Sequence, residues 1–320
     1  MKKRIVIKSN KEITLEEGFK VFINEKKLIG LVDKTLFNYG IGFQYFTEYL
    51  NKDTLCSSIT EDTYMGYIEY MRNNKPNLSP FSLNTYLVNV RVIFYYLMDK
   101  GHMDSFPCKL LKAGKPAKKT YKPEDLAKLF EEPNKKDCTF TDYRNWAIVC
   151  YFLATGNRAN TTINIKMEDL DFTNNEILLT TVKNKRQDII PMSTALKKVL
   201  TKYLEVRGSV EPEDYLFCTA YGEKLTGSGL DTAIGRYLKK RGVSETGIHK
   251  MRHTFATEYL RNGGRAEKLQ QILGHSTMDM TMEYVHLVKN DIKADFDSFN
   301  PLDNMMPTDR KGAFIKIKRK

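Results

Sequence analysis

A lysine-rich segment divides this chain into two parts that must each bury a core of their own. Residues 102–123 read HMDSFPCKLLKAGKPAKKTYKP, with six lysines and no acidic residue between Lys109 and Lys122. Such a composition buries little apolar surface and is a poor candidate for a packed element. We therefore predict a helical domain over 1–108, a basic linker over 109–123, a second domain over 124–290 and a tail over 291–320. The linker either lies in solvent or follows the phosphates of a polyanion, and composition leaves both interpretations open.

The first hundred residues have the apolar periodicity of helices. One helix is predicted over 15–28, a second capped by Asp33, and a third opened by Thr60. A fourth starts at Ser79, which is followed by proline, and stops at Gly101. The pattern predicts a four-helix bundle. Its aromatic residues recur on the apolar faces, which favours a role in the core over a role in stacking on bases.

The second part is mostly helical with one β signal. The segment NNEILLTTVKNKRQDIIPM predicts a turn at Asn174, a strand over 176–182 and a return strand over 188–192. Lys183 stands at the hairpin tip together with two further basic residues. The predicted fold class is therefore mainly α with a small β-hairpin, an α+β second domain behind an N-terminal helical bundle.

Charge and cysteine usage narrow the function classes. A net charge of +12 favours a polyanionic partner such as nucleic acid, because each neutralised phosphate releases counterions. The chain has no apolar run near the eighteen residues that a bilayer requires, and MKKRIVIKSNKEITLEE lacks the apolar centre of a signal peptide. We expect a cytoplasmic protein without a membrane partner. Five scattered cysteines suggest neither disulfides nor a zinc site, so no cofactor or metal is predicted: Cys56, Cys108, Cys138, Cys150 and Cys218.

Histidines and arginines concentrate in two helices near the end of the second part. In GIHKMRHTFATEYL, His249, Arg252 and His253 are three and four residues apart and share a helical face. His253 is expected to support packing. Upstream, FLATGNRAN places Arg158 just after a Thr-Gly turn that ends an apolar helix.

The segment ILGHSTMDMTMEYVHL interrupts an apolar stretch with Gly274 and His275. The preceding helix is expected to end at Gly274, and Ser276 is expected to cap the next helix in a capping box with Asp279. That second helix carries Tyr284. The break then directs His275 towards a substrate, and the new helix delivers the tyrosine.

These residues together suit phosphoryl transfer without a metal. The reaction builds charge on nonbridging oxygens, which arginine and histidine donors can stabilise. A tyrosine hydroxyl can attack a phosphodiester and store its energy as a phosphotyrosine. Each residue alone is a weak signal, and the order and spacing carry the argument.

In that order and spacing the chain resembles the tyrosine recombinases, the phage integrase family. The motifs ATGNR, HKMRHTFATEYL, QQILGHS and YVH fall in the family's register. The resemblance covers about residues 120–290 and extends more loosely to the helical bundle, which is similar to the family's SAM-like core-binding domain. It implies a double-stranded DNA substrate, a homotetramer on DNA and a Holliday-junction intermediate, without ATP or metal.

The resemblance also implies roles for individual residues. Tyr284 would attack the scissile phosphate to give a 3′-phosphotyrosine and a free 5′-hydroxyl. Arg158 and Arg252 would bind the nonbridging oxygens, and His275 would add a further donor.

Proton transfer is assigned to two further positions by the same resemblance. His249 would assist removal of the tyrosine proton, and Lys183 would protonate the departing 5′-oxygen. One departure is RANTT after the first arginine, where the family often has Ser-Glu, so the fine positioning of Arg158 is in question.

Several functional alternatives are open within this resemblance. An integrase or transposase of a mobile element, with an accessory directionality factor, is favoured by RANTT and the basic tail. Dimer resolvases of the Xer type have a similar length. A non-catalytic DNA-binding regulator and a topoisomerase-like relaxing enzyme are further alternatives. The tail is expected either to dock on a neighbouring protomer or to be disordered, and Lys34 and Arg91 are candidates for DNA contact.

Overall fold

The computed structural model describes residues 12–114, 118–179, 188–245 and 247–288. The chain forms two compact units, Met1–Ala117 and Lys118–Lys320, and the division falls within the segment for which the sequence predicts a linker. The finer boundaries of the four predicted segments remain predictions. The helices of the described residues are α1 (Leu15–Leu28), α2 (Asp33–Tyr49), α3 (Glu61–Asn74), α4 (Pro80–Asp99), α5 (Pro123–Phe130), α6 (Phe140–Thr155), α7 (Ala159–Thr162), α8 (Thr194–Arg207), α9 (Gly227–Lys240), α10 (Ile248–Arg261), α11 (Ala266–Leu273) and α12 (Met278–Val288).

The first unit contains the predicted four helices, and polar caps start most of them. Thr60 accepts a hydrogen bond from the backbone N–H of Thr63, and Ser79 does the same for Ser82 at the start of α4. The prediction for Asp33 is wrong by one residue, because Val32 is the N-cap and Asp33 lies in the first turn. A carboxylate there still faces the positive end of the helix dipole.

Aromatic side chains fill the core of this unit, as the sequence predicts. The ring of Phe46 lies edge-on to those of Tyr67 and Phe94, with centroids 4.9 and 5.0 Å apart. Such pairs add to the free energy gained from burial. The predicted apolar faces of α3 and α4 are buried at Tyr64, Tyr67, Ile68, Met71, Leu83, Leu87, Val90, Phe94 and Leu97.

Helix α6 is the centre of the second unit. It packs against α5, α8, α9 and α10 and is buried almost all round. A helix that is apolar on every side belongs inside a domain. It ends, as predicted, at Gly156, whose left-handed backbone (φ 63°) closes the last turn. Its end therefore lies in the interior, where it takes part in the site described below.

A three-stranded antiparallel sheet in order β1-β2-β3 lies beside these helices. The predicted hairpin is confirmed by β2 (Glu176–Leu179) and β3 (Asp188–Pro191), in which Ile177 is paired with Ile190. The sequence missed β1 (Leu170–Asp171), which has only two residues and no alternation to detect. Lys183 and the hairpin tip lie outside the described residues.

The described parts of the linker are fixed to their own units. Tyr64 donates a hydrogen bond to the carbonyl of Lys109 (3.1 Å) in the first unit. In the second unit the backbone N–H of Tyr121 donates to Thr254 (2.9 Å). These residues thus have protein partners, which neither predicted interpretation included.

Among the described helices, none combines the length and the apolar character required to span a bilayer.

Candidate active site

The break at Gly274 leaves carbonyl groups that hold two arginines. Helix α11 ends at Leu273, and Gly274 follows in the left-handed conformation (φ 59°, ψ 47°). The last carbonyls of a helix have no partner inside it. The Leu273 carbonyl accepts from Arg158 Nη1 (3.3 Å) and from Arg252 Nη2 (2.8 Å). The Gly274 carbonyl accepts from Arg158 Nη2 (3.3 Å). One chain break therefore brings both guanidinium groups together.

Arg252 is a buried cation between two helix ends. Its side chain is 5% exposed, and Nη1 donates to the carbonyl of Gly156 at the end of α6 (2.7 Å). Both acceptors lie at the negative ends of helix dipoles, which stabilise a positive charge. Burial, and then the charge of Arg158, lowers the pKa of Arg252 to about 10, so it remains charged at neutral pH. Among the described residues no carboxylate lies within 4.0 Å of either guanidinium, and the pair is suited to an anion.

Gly156 is required where α6 approaches α10 and α11. A Cβ atom on Gly156 would lie 2.4 Å from a ring carbon of Phe255 and 2.8 Å from the Leu273 side chain. The positive φ adds strain for any other residue. The glycine of the predicted Thr-Gly turn thus allows the close packing that brings its carbonyl to Arg252.

A carboxylate near Arg158 was not anticipated from the sequence. The position of a Cβ on Gly274 would be 3.7 Å from Arg158 Nη1 and 3.9 Å from Asp188 Oδ2. Asp188 is the first residue of β3, far from Arg158 in the chain. The segment RANTT lacks an acid, and Asp188 brings one to the same neighbourhood.

His275 is buried and held in one orientation. Its Nδ1 lies 2.8 Å from the hydroxyl of Thr281, and its backbone N–H donates to the Gln270 carbonyl (3.1 Å). Burial, followed by the charges of Arg252 and Arg158, lowers the pKa of His275 to about 4. The ring is therefore neutral at pH 7. When the Thr281 hydroxyl donates to Nδ1, Nε2 carries the ring proton and is free to donate.

The cap predicted for α12 is wrong in detail. The helix begins at Met278, so Thr277 precedes it and Ser276 lies one residue farther out. Asp279 is in the first turn, as expected of an acid near the positive end of a helix.

Tyr284 is buried with its hydroxyl on a histidine. The residue is 2% exposed, and its hydroxyl lies 2.8 Å from Nδ1 of His253. The His275 ring is parallel to the tyrosine ring at 5°, with centroids 6.2 Å apart. The ammonium nitrogen of Lys118 lies 3.8 Å from the centroid of the tyrosine ring. Tyr284 thus lies between basic side chains and away from solvent.

His253 is able to accept a hydrogen bond from the tyrosine hydroxyl. Burial, and then the charges of Lys118 and His249, lowers the pKa of His253 to about 4, which leaves it neutral at pH 7. A neutral imidazole has one acceptor nitrogen. The expectation that His253 only supports packing is incomplete, because this residue makes the hydrogen bond to Tyr284.

The structure brings together four of the six predicted site residues: Arg158, Arg252, His275 and Tyr284. His249 is exposed in the first turn of α10 and, within the described ranges, makes no hydrogen bond. Lys183 lies outside the described residues. Nor do the described residues include any group of three or more His, Cys, Asp or Glu side chains arranged to hold a metal ion.

Sequence reasoning missed Thr281 and Lys118. Thr281 lies three residues before Tyr284, so a helical spacing already places the two on one face. Lys118 had no comparable signal among the lysines of the linker.

Comparison with known proteins identifies the family. The model of the phage integrase family matches residues 119–291, more than half of the chain, and that of the phage integrase SAM-like domain matches residues 14–115. The chain belongs to the phage integrase family. Tyrosine recombinase XerD of Listeria monocytogenes is 28% identical to this integrase-family chain over 85% of the chain and 94% of the relative. Tyrosine recombinase XerC of Staphylococcus aureus is 25% identical over 84% and 91%.

Solved structures share the integrase fold. The Tn1549 transposon integrase in complex with a circular intermediate DNA has a TM-score of 0.72 and 19% identity, covering 85% of this chain and 95% of the other. A lambda integrase tetramer bound to a Holliday junction has a TM-score of 0.68 and 18% identity, covering 85% and 80%. These likenesses establish the architecture of the phage integrase family for both units, a SAM-like helical domain and an integrase catalytic domain.

Proposed function

We propose that this chain is a site-specific DNA recombinase in which Tyr284 cleaves DNA through a 3′-phosphotyrosine. The observation that carries the proposal is the shared use of the Leu273 carbonyl by Arg158 and Arg252, beside His275 and Tyr284. It supports the proposal because two cations and a neutral imidazole lie near the tyrosine, with Arg252, His275 and Tyr284 buried and Arg158 exposed.

The arginines and His275 act on the charge that develops at phosphorus. Tyr284 Oη forms a bond to phosphorus while the bond to the 5′-oxygen breaks, and both nonbridging oxygens gain negative charge. Arg158 and Arg252 bind those oxygens, and Nε2 of His275 donates to one of them. Donors that are already oriented contribute on the order of 10²–10³ each in rate. The fixed hydrogen bonds of Arg252 and His275 supply that orientation.

Two proton transfers complete the step. The tyrosine proton passes to a neutral histidine. His253 is the one in hydrogen-bond contact, and His249 retains the role implied by resemblance once DNA is bound. The departing 5′-oxygen takes a proton, for which Lys183 is the proposed donor. Religation reverses both transfers, so the bond energy is conserved and no nucleotide is consumed.

Double-stranded DNA and further copies of the chain are the proposed partners. The net charge of +12 supports binding to phosphates, and strand exchange through a Holliday junction needs four active sites, hence a homotetramer on DNA. In the first unit Lys34 lies over the ring of Phe37 (5.1 Å) and Arg91 near that of Tyr95 (5.9 Å), and both remain candidates for DNA contact. An accessory directionality factor belongs to the same proposal, as does docking of the segment 291–320 on a neighbour.

The proposed role is integration and excision of a mobile element. RANTT and the basic tail support it, since both differ from the tighter motifs of chromosome-dimer resolvases. A second role, resolution of chromosome or plasmid dimers, is favoured by the alignment over 94% of the Listeria XerD.

The test is formation of a covalent adduct on nicked suicide DNA in the presence of EDTA. Two duplexes are compared. One carries the ends of the mobile element that contains or adjoins the gene for this chain, and the other carries the dimer-resolution site of the host chromosome. Wild type is expected to give an SDS-resistant adduct that Tyr284→Phe does not form. Adduct on the element ends supports the mobile-element role, and adduct on the resolution site alone supports the second role. Binding without adduct on both duplexes contradicts the proposal, and an adduct from Tyr284→Phe would identify a different nucleophile.

A further inference from the structure

The segment just before α5 touches the proposed nucleophile. Besides its contact with the Tyr284 ring, Lys118 forms an ion pair with Glu283 (2.8 Å). Its side chain is 21% exposed. A cation over an aromatic face is attracted by the ring quadrupole, more strongly where water is partly excluded. Lys118 thus binds two consecutive residues of α12.

Consecutive residues of α10 give this contact a fixed geometry. Arg252 donates to the carbonyl groups at the ends of α6 and α11, and His253 meets the Tyr284 hydroxyl. The Thr254 hydroxyl accepts from the backbone N–H of Tyr121. Tyr121 is 3% exposed and also donates its hydroxyl to the Gly247 carbonyl (3.3 Å). Lys118 therefore lies three residues from the fixed residue Tyr121, and its ammonium nitrogen lies over the Tyr284 ring while His253 meets the hydroxyl.

The resulting arrangement does not allow attack as it stands. A phosphodiester must approach the hydroxyl in line, yet Tyr284 is only 2% exposed. Release must break the apolar packing of the ring and also the contacts of Lys118, whose side chain is partly exposed. Lys118 is the contact that a phosphate can compete for, because its partner Glu283 is itself an anion on the surface of α12.

We propose that Lys118 is a positioning residue that holds Tyr284 in a buried resting position, and that a DNA phosphate releases it by replacing Glu283. The inference rests on the proposed role of Tyr284 as nucleophile. Exchange of one anionic partner for another keeps Lys118 paired in both states. The protein is then active when it is bound to DNA, and in the DNA-free protein Tyr284 stays buried.

Nitration of tyrosine by tetranitromethane in the DNA-free chain tests the resting position. The Tyr284 peptide is quantified by mass spectrometry, with the other tyrosines as internal reference. We expect Lys118→Met to raise the nitration rate of Tyr284 about fivefold, in keeping with loss of a partly buried cation–π contact. Lys118→Arg keeps the charge and should stay near wild type. Glu283→Gln removes the ion pair from the other side and should give a smaller increase.

Lys119→Met is the matched control. Lys119 is the next residue, its side chain is 74% exposed, and it pairs with Glu245 (3.7 Å). It has the same charge and the same place in the chain without a contact to Tyr284. We expect wild-type nitration from Lys119→Met. Equal nitration of Tyr284 in wild type, Lys118→Met and Glu283→Gln would overturn the proposal.

Adduct kinetics on suicide DNA separate a resting contact from a role in the reacting complex. With saturating DNA, Lys118→Met is expected to form adduct at least as fast as wild type. Below saturation it should bind less tightly, with a salt slope smaller by about one. A slower adduct rate at saturation with unchanged nitration would place Lys118 in the reacting complex and overturn the resting role. Absence of adduct from every variant, with nitration as expected, would leave the resting contact in place and remove the proposed function instead.

Discussion

Tyr67 in the first unit and Tyr284 in the second are both buried tyrosines, and their surroundings differ. Tyr67 lies among aromatic rings in the helical bundle, and burial raises the pKa of its hydroxyl. Among the described residues its hydroxyl has no hydrogen-bond partner. Tyr284 belongs to a small apolar cluster, has His253 on its hydroxyl and has Lys118 on its ring.

The difference shows that burial has two uses for the same residue type. In the bundle the Tyr67 ring fills core volume, and its hydroxyl makes no hydrogen bond to another described residue. In the site the ring is packed equally well, but its hydroxyl is paired with His253 and its face with Lys118. The arginines repeat the pattern, because Arg144 is buried among groups that only satisfy its hydrogen bonds, whereas Arg252 lies beside a second cation.

The largest expected effect separates the two tyrosines. Tyr284→Phe should remove adduct formation by a factor on the order of 10⁴ or more, because the nucleophilic oxygen is lost. It should lower the free energy of unfolding by about 1–2 kcal/mol, since Nδ1 of His253 loses its partner. Tyr67→Phe should keep full adduct rate and change stability by less than about 1 kcal/mol, because its hydroxyl makes no bond to lose.

Adduct kinetics and urea unfolding of both variants measure this contrast. A large loss of adduct from Tyr67→Phe at unchanged fold would break the comparison.

The next effect separates the two buried arginines. Arg252→Met should slow adduct formation about 10²–10³-fold, because one donor to the nonbridging oxygens is removed. Arg144 donates to the Cys218 carbonyl (2.8 Å) and to Asn145 (2.8 Å), so Arg144→Met should destabilise the second unit and leave the adduct rate of the folded fraction unchanged.

Rates at saturating DNA, corrected for the folded fraction, provide the measurement. Comparable slowing by both variants would mean that the Arg252 contacts are only structural.

A smaller effect concerns the orientation of His275. Thr281→Val removes the hydroxyl that meets Nδ1 and frees the imidazole to exchange tautomers, so we expect adduct formation to slow about tenfold. Thr281→Ser keeps the hydroxyl and is the matched control, expected near the wild-type rate. The pair is compared at saturating DNA and neutral pH. No difference between the two variants would exclude an orienting role for Thr281.

The last effect concerns stability and not the adduct rate, and it is a dependence on pH. His253 and His275 have a pKa of about 4 in the folded chain against an ordinary value of 6.5. Between those values the unfolded chain binds more protons than the folded chain. The stability that neutral His253 and neutral His275 contribute is therefore complete above about pH 6.5 and is lost as the pH falls towards 4. The neighbouring charges are those of Lys118, Arg158, Arg252, His249 and Glu283.

Trp146, the single tryptophan, lies in the core of the second unit and reports its unfolding. Urea titrations followed by its fluorescence at pH 7.5, 6.5, 5.5 and 4.5 should show the decline. A variant with His253→Gln and His275→Asn should show a shallower one. An identical decline in that variant would assign the effect to other groups.

Much of the local structure followed from the sequence because its causes are local. The caps at Thr60 and Ser79, the helix ends at Gly156 and Gly274, and the start of β2 after the turn at Asn174 depend on short-range sterics and hydrogen bonds. The grouping of Arg158, Arg252, His275 and Tyr284 followed from a resemblance, since their separations along the chain carry no distance information. Asp33 and Ser276 were misassigned by one residue, the usual size of error where two adjacent residues can both start a helix.

By itself the sequence determined the two-part organisation, the helical faces, the chain break at Gly274 and the set of residue types that suit phosphoryl transfer. Only the tertiary structure decided which groups meet. It placed the Leu273 carbonyl between two guanidinium groups, His253 rather than His249 on Tyr284, and Lys118 on the tyrosine ring. The physical reason is that these contacts join elements up to 166 residues apart (Lys118 to Tyr284), and their geometry depends on how α6, α10 and α12 pack.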